Sequence, residues 1–546
     1  MNWRLYHFII FLFYLSCSKD QEDNPQNTFF NYTSFKIEGQ KTISYIGTSL
    51  KPKIIITFSE PIDHKSIPLA VRINGVSSQN IQVEAQLSNQ DTILTLSFTP
   101  ELQPLTKYTI EVNTTLVSIN KHHLSSTIEA TISTGIDTTN KFPLLSDSAL
   151  LTKIQHQTFK YFWDFGHPIS GMARERNTSG DLVTSGGTGF GIMAIIVGIH
   201  RGFISREQGL QRIMTISDFL MNKSERFHGV FPHWLNGNSG ETIPFSAKDD
   251  GGDLVETSYL LAGLLCVYEF FDKPIAEEQN LRAIIKNIWD TVEWSWHTKG
   301  NGDVLYWHWS PKYNWDMNHQ IKGWNEALIT YILAASSPTF GIAKGVYDHG
   351  WASEGSIKNG KSFYDIPLPL GQNLGGPLFF EHYSFLGINP TKLNDQYANY
   401  WTQAVNHTKI NYSYCVENPR GYYGYSKDNW GLTASDTYGG YTAHSPNNDK
   451  GVISPTAALS SFPYTPNESM DALKFFYYKL GDKIFKEYGF VDAFSLHHLW
   501  FADSFLAIDQ GPIIIMIENH RTGLIWDLLM RNNDIKAGLD KLGFTY

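Results

Sequence analysis

Three groups of acidic side chains stand where a glycine- or aromatic-rich loop gives way to an apolar helical run. The first is Asp249, Asp253 and Glu256, in the run Lys248-Asp249-Asp250-Gly251-Gly252-Asp253-Leu254-Val255-Glu256. If a helix begins near Gly252, Asp253 and Glu256 share one face of its first turn. Free N–H groups and the helix dipole favour carboxylates there. Capping explains one acid in such a turn, but not three on one side backed by Leu260, Leu261 and Leu264. The second group is Glu326, which follows a loop holding Tyr306, Trp307, Trp309 and Trp315. Under tryptophan cover a carboxyl is desolvated and its pKa rises, which a general acid requires. The plainer reading is an exposed glutamate at a helix start. The third group is Asp503 and Asp509, the latter read as the cap of a helix with Pro512 in its first turn. Glu518 and Asn519 lie further along that helix.

Two carboxyls across one bond are what glycosidic hydrolysis uses: one protonates the departing oxygen, the other activates water or attacks the sugar. The chain also carries 15 Trp, and aromatics make up 14 % of it. Pyranose rings pack their C–H faces on flat aromatic rings, although a large core would use tryptophan as well. Trp234, Trp309, Trp315, Trp324 and Tyr438 are the stacking candidates. Asp436 ends a polar and aromatic segment, Trp430 to Asp436, suited to lining a sugar subsite. No HExxH, cysteine pair or phosphate loop is present, and neither His497-His498 nor Trp307-His308 has metal-ligand spacing. The reading therefore expects no metal and no cofactor. A formal charge of −10 argues against nucleic acid as the partner.

These residues need elements to hold them. Residues 30–135 read as a β-sandwich, from strand-like runs at Ile54–Phe58, Thr92–Phe98 and Thr109–Val112 separated by turn signals. Residues 136–147 read as a linker. From 148 to 546 the pattern is helical, with stretches at about 205–221, 254–271, 278–294, 323–335, 391–406, 467–480 and 512–530. Roughly a dozen helices joined by long aromatic loops predict an (α/α)6 barrel, so the chain is mainly α with a small all-β domain in front. Cys266 lies in an apolar helical run and reads as core.

The N-terminus reads as an export signal. Arg4 precedes the apolar run Phe8–Leu15, which is too short to span a bilayer. Tyr14-Leu15-Ser16-Cys17 resembles a lipoprotein signal, with residues 1–16 removed and Cys17 lipidated. Residues 17–29 form a polar tether, and Ser18–Asp23 is similar to the acidic surface-export tags of Bacteroidetes lipoproteins. The expected location is the outer membrane, on its outer or periplasmic face, held by the lipid.

The runs GMARER, GTGFGI, FPHWLN, DDGGDLVETS, KGWNEALITY, WGLTASD and AIDQGPIIIMIEN resemble the glycoamylase-like family of bacterial glycoside hydrolases, in consistent order over about residues 150–545. FSEPID, TLSFTPEL and KYTIEV are similar to a bacterial Ig-like domain. The first resemblance implies an endo-β-1,2-glucanase that works with inversion on an (α/α)6 barrel without metal. It places the family's D-x3-D-x2-E cluster on Asp249, Asp253 and Glu256, and the helix-start glutamate on Glu326. Both Asp509 and Asp503 fall near the expected base, with Asp509 preferred. The reading is then Glu326 as general acid, Asp509 as base, and the acidic cluster binding sugar and tuning Glu326. The expected partner is a glucan polysaccharide or oligosaccharide. The rivals are a surface glycan-binding lipoprotein without catalysis, and a polysaccharide lyase on the same barrel; an acidic cluster would repel the uronate a lyase cleaves.

Overall fold

A computed structural model describes residues 28–75 and 81–546. Cys17 and the export segment lie outside the described residues. Among the described residues, no helix is long and apolar enough to cross a membrane.

The chain folds as two units, one ending at Gly135 and one running Ile136–Tyr546. In the first unit the two main sheets hold β1 (Tyr32–Ile37), β2 (Gln40–Lys41), β3 (Ser44–Thr48), β4 (Ile54–Phe58), β5 (Val71–Gly75), β6 (Val83–Ser88), β7 (Ile93–Phe98), β8 (Lys107–Val112) and β9 (Ile128–Thr134). They form sheets of order β2-β1-β4-β7-β6 and β3-β9-β8-β5. Period-two patterning sets the inner faces. Ile54 pairs with Leu96 and Ile56 with Leu94, and all four are fully buried with Phe35, Ile110 and Ile132.

The second unit is built from α1 (Asp147–Trp163), α2 (Ser185–His200), α3 (Arg206–Asn222), α4 (Leu254–Phe270), α5 (Ala276–Asp290), α6 (Leu328–Ser336), α7 (Phe379–His382), α8 (Tyr400–Glu417), α9 (Pro455–Leu459), α10 (Pro466–Ile484), α11 (Ala507–Thr522), α12 (Leu524–Arg531) and α13 (Asn533–Leu542). Their compositions sort them into two layers. The helices α2, α4, α6, α9 and α11 are buried on nearly every side and carry few charges, and the short α7 has Glu381 and His382 buried. By contrast α1, α3, α5, α8 and α10 alternate buried and exposed residues, as a one-sided apolar stripe requires. The inner ring runs α2–α4–α6 and returns through α11 to α2. The gap between α7 and α9 is bridged by His382 Nε2 against Ser461 Oγ (3.0 Å) and by the Tyr464 hydroxyl donating to the Glu381 carbonyl (2.8 Å). This is the six-hairpin helical barrel.

Three expectations need correction. The stretch foreseen at 391–406 is a helix only from Tyr400, because the Asn399 side chain caps it by accepting from Thr402 N (2.7 Å). The single helix foreseen at 512–530 is two, broken at Gly523, whose φ of +74° ends α11. The segment 136–147 is no free linker: Lys479 donates to the Thr138 carbonyl (2.7 Å), and Phe142 packs on Tyr477 at 4.7 Å. Two inner helices, α7 and α9, are too short for periodicity to announce them.

Candidate active site

The starts of the inner helices meet at one end of the barrel. Helix α4 starts at Leu254 with Asp253 as its N-cap, accepting from Val255 N (3.0 Å) and Glu256 N (2.9 Å). Glu256, in the first turn, reaches across and accepts from Gly186 N (2.8 Å) at the start of α2. Capping is therefore real, and it is also what fixes the carboxylates: each satisfies free helix N–H groups while turned toward the ring. Asp249, Asp253 and Glu256 are all buried. Half-buried His233 donates from Nδ1 to Asp253 (3.0 Å), and His308 Nε2 lies 3.3 Å from Asp249. Burial opposes a charge on His233, but Glu256, Asp253 and Asp249 outweigh it and raise its pKa to about 9. Burial and the charge of Asp253 push Asp249 upward. Burial does the same to Glu256, while the His233 bond keeps Asp253 low against the same penalty. One ligand atom from each of His233, Asp249 and Asp253 lies within 4.8 Å of the others, a set able to approach a divalent cation.

Glu326 lies in the turn just before α6, not inside the helix. Its carbonyl accepts from the Ser384 hydroxyl and, at 3.5 Å, from the Tyr259 hydroxyl. Burial, with the charges of Glu256 and Asp253, raises its carboxyl to about 7. Asp509 occupies the first turn of α11, whose N-cap is Leu506; Pro512 falls in the second turn, so the capping role foreseen for Asp509 is absent. Asp509 is buried, and burial together with Asp492 raises its pKa strongly. Tyr383 lies within electrostatic reach of both Glu326 and Asp509, and its ring packs edge-on against Tyr259 at 5.7 Å. Tyr383 thus stands near both acids, with Tyr259 beside it.

The remaining foreseen residues divide. Asp436, on the hairpin Ala434–Thr437/Gly440–Ala443, pairs with Arg176 (3.3 Å) and accepts from the Ser504 hydroxyl (2.5 Å), beside Asp509. Trp234 is half-buried against Phe245 and next to His233, and Trp309 flanks His228. Trp315 packs in its loop with Trp296 and Tyr306, and Tyr438 is exposed against His498. Asp503 leaves the site: its side chain is 92 % exposed and paired with Lys486. Trp324 is core, wedged among Trp351, Phe385 and Tyr400. Glu518 is buried away from the acids, forked by Arg201 at 2.6 and 2.7 Å, and Asn519 accepts from Ile525 N. Sequence reasoning missed His233, His308 and Asp492. The signal for Asp492 was a lone acid inside Phe490-Val491-Asp492-Ala493-Phe494; the histidines had none beyond aromatic neighbours.

Comparison with known proteins places this geometry. The Glycoamylase family model, described as a glucoamylase, matches residues 318–533, and a bacterial Ig-like domain model matches residues 42–137. A solved endo-β-1,2-glucanase from Chitinophaga pinensis is 52 % identical, with a TM-score of 0.72, over 74 % of this chain and 99 % of that one. The chain belongs to the glycoamylase family. A β-1,2-glucanase structure from Parabacteroides distasonis is 37 % identical, with a TM-score of 0.71, over 94 % of this chain and 73 % of that one. From the same organism, an exo-β-1,2-glucooligosaccharide sophorohydrolase acting at the non-reducing end is 42 % identical over 448 residues. That match takes in 78 % of this chain but only 60 % of the relative's length.

Proposed function

We propose that this member of the family is a glycoside hydrolase that cleaves β-1,2-glucan, with Glu326 as the general acid and Asp509 as the water-activating base. The observation that carries the reading is Glu326: a carboxyl just before a helix, lifted to about 7 by burial, with Tyr383 near both it and a second, buried acid, Asp509. Such a group still holds its proton near neutrality and can release it to a departing glycosidic oxygen. Water attacks the anomeric carbon as that bond breaks, and its proton passes to Asp509. Inversion requires room for that water, with the carboxyls about 6.5–9.5 Å apart. Asp249, Asp253 and Glu256 bind hydroxyls beside the cleavage point, and Trp234, Trp309 and Tyr438 offer ring faces. Endo action is favoured over exo because similarity to the endo enzyme extends over nearly its whole length.

Reducing-end release from a panel of glucans tests this. Activity on β-1,2-glucan with products of mixed length is expected. Disaccharide alone would mean exo action, an unsaturated product a lyase, and no release from any glucan would leave a binding protein. The anomer of the first product, read by NMR, checks inversion. Cys17 as a lipid anchor to the outer membrane is part of the same proposal and rests on the Tyr14–Cys17 pattern.

A further inference from the structure

Asp492 belongs to none of the foreseen groups, yet it is the acid nearest in character to Asp509. Both are almost fully buried, at 2 % exposure each. Asp492 Oδ2 accepts from the Asp436 backbone N–H (2.6 Å), and its carbonyl accepts from the Ser454 hydroxyl (2.7 Å). Its Oδ1 is buried with no protein partner, and so is Asp509 Oδ2. The side chains of these two residues are within hydrogen-bonding reach of each other. Two buried acceptor oxygens cannot face each other as bare charges; a proton between them satisfies both.

We infer that Asp492 and Asp509 form a one-proton carboxyl pair, in which Asp492 is a positioning residue that takes the shared proton as Asp509 accepts one from water. The inference rests on Asp509 being the base and extends it. The surroundings agree. Arg176 supplies positive charge, but it is already shared by Asp436 (3.3 Å) and Glu175 (3.0 Å), so it neutralises neither member outright. Tyr441 and Tyr383 also face the pair, and neither brings a positive charge. Burial and mutual repulsion raise both acids above the ordinary carboxylate range. During turnover the pair passes from one proton to two: the attacking water gives up a proton to Asp509 as its oxygen bonds the anomeric carbon. Loss of that proton to solvent resets the pair.

The variant Asp492→Asn keeps the acceptor for Asp436 N–H and can donate to Asp509 from its amide. Asp492 is the neutral partner when Asp509 acts as base, so the change removes no like charge but the strong hydrogen bond that a carboxyl gives a carboxylate, and Asp509 should take up a proton more readily. The acidic limb of the kcat/KM profile is expected to move upward by about one pH unit. At the optimum kcat should fall about tenfold with KM little changed, less than the about hundredfold or more for losing a base. An unmoved limb in a folded variant, or one that moves downward, overturns the inference, as does a loss matched by a loss of folded protein. Infrared spectroscopy reads the proton without turnover. Near neutral pH, Asp509→Asn should remove a protonated-carboxyl C=O stretch present in the wild type; no lost intensity means no shared proton. Absence of wild-type activity on every glucan would instead count against the function proposed above and leave the infrared result standing.

Discussion

Glu326 owes its proton to position rather than to any bonded partner of its carboxyl. Burial and two nearby carboxylates lift it to about 7, so it stays a proton donor where an ordinary glutamate has lost the role. Glu326→Gln is expected to lower kcat by about a hundredfold or more with KM nearly unchanged, checked by turnover on a soluble glucan. In the wild type the basic limb of activity should fall near about pH 7. Stability carries the same signature. The folded carboxyl keeps its proton up to about 7 and the unfolded one only to about 4.5, so stability declines as pH climbs through that window. Glu326→Gln should therefore melt higher than wild type above the window and equal to it below, as thermal unfolding across pH would read. Asp503→Asn, at an exposed ion pair, should leave kcat unchanged, while Asp509→Asn should not. The sequence made the carboxylates visible because acids beside glycines break an apolar pattern. It could not separate Asp503 from Asp509, since six positions decide whether a side chain meets solvent or the ring, and only the start of α11 fixes that. Trp324 misled for the opposite reason: a tryptophan next to a catalytic candidate looks the same whether it covers substrate or fills core.

At the scale of elements, the site depends on how closely α2 and α4 approach. A Cβ on Gly189 would lie 2.1 Å from the Tyr259 carbonyl oxygen, and one on Gly263 would lie 2.4 Å from the Gly189 oxygen. Backbone meets backbone, so neither clash is relieved by a rotamer. Gly189→Ala is expected to cost at least the about 1–3 kcal/mol of an overpacked core and to reduce activity in the folded fraction. Pushing α4 outward separates Glu256 from Gly186 N. Denaturant melts with Gly345→Ala as comparison check this; a Cβ at Gly345 meets only His349, at 3.9 Å. The long helices were legible because their outer members carry an apolar stripe and the inner α2 and α4 are apolar throughout. Helices α7 and α9, four and five residues long, were not, because one turn holds no period. Their existence depends on partners distant in sequence.

For the whole molecule, each unit carries its own core, so each should unfold by itself. A chain beginning at Ile136 is expected to keep full turnover on short glucans, and calorimetry of the intact chain should resolve two transitions. Starting at Asn140 instead would remove Thr138 and its bond from Lys479, and a lower melting temperature should follow. Cys17→Ser should free the protein from membranes with turnover unchanged, measured by fractionation; membrane retention would mean Phe8–Leu15 holds the chain by itself.

The closed ring also sets the order in which the molecule can be made. Gln155 donates to the carbonyl of Ile514, 359 residues later, and α2 is walled on one side by α11. During synthesis the oily helices α2 and α4 emerge long before the segment that seals them. No intermediate short of α11 can hide them from water, since α7 and α9 are too brief to stand alone. The nascent chain therefore carries an exposed, adhesive surface for most of its synthesis, and at translation rates of about 5–20 residues per second that interval lasts tens of seconds. A barrel whose last inner stave locks its first makes its maker wait, and a holding factor that shields apolar helices during that wait would govern its yield.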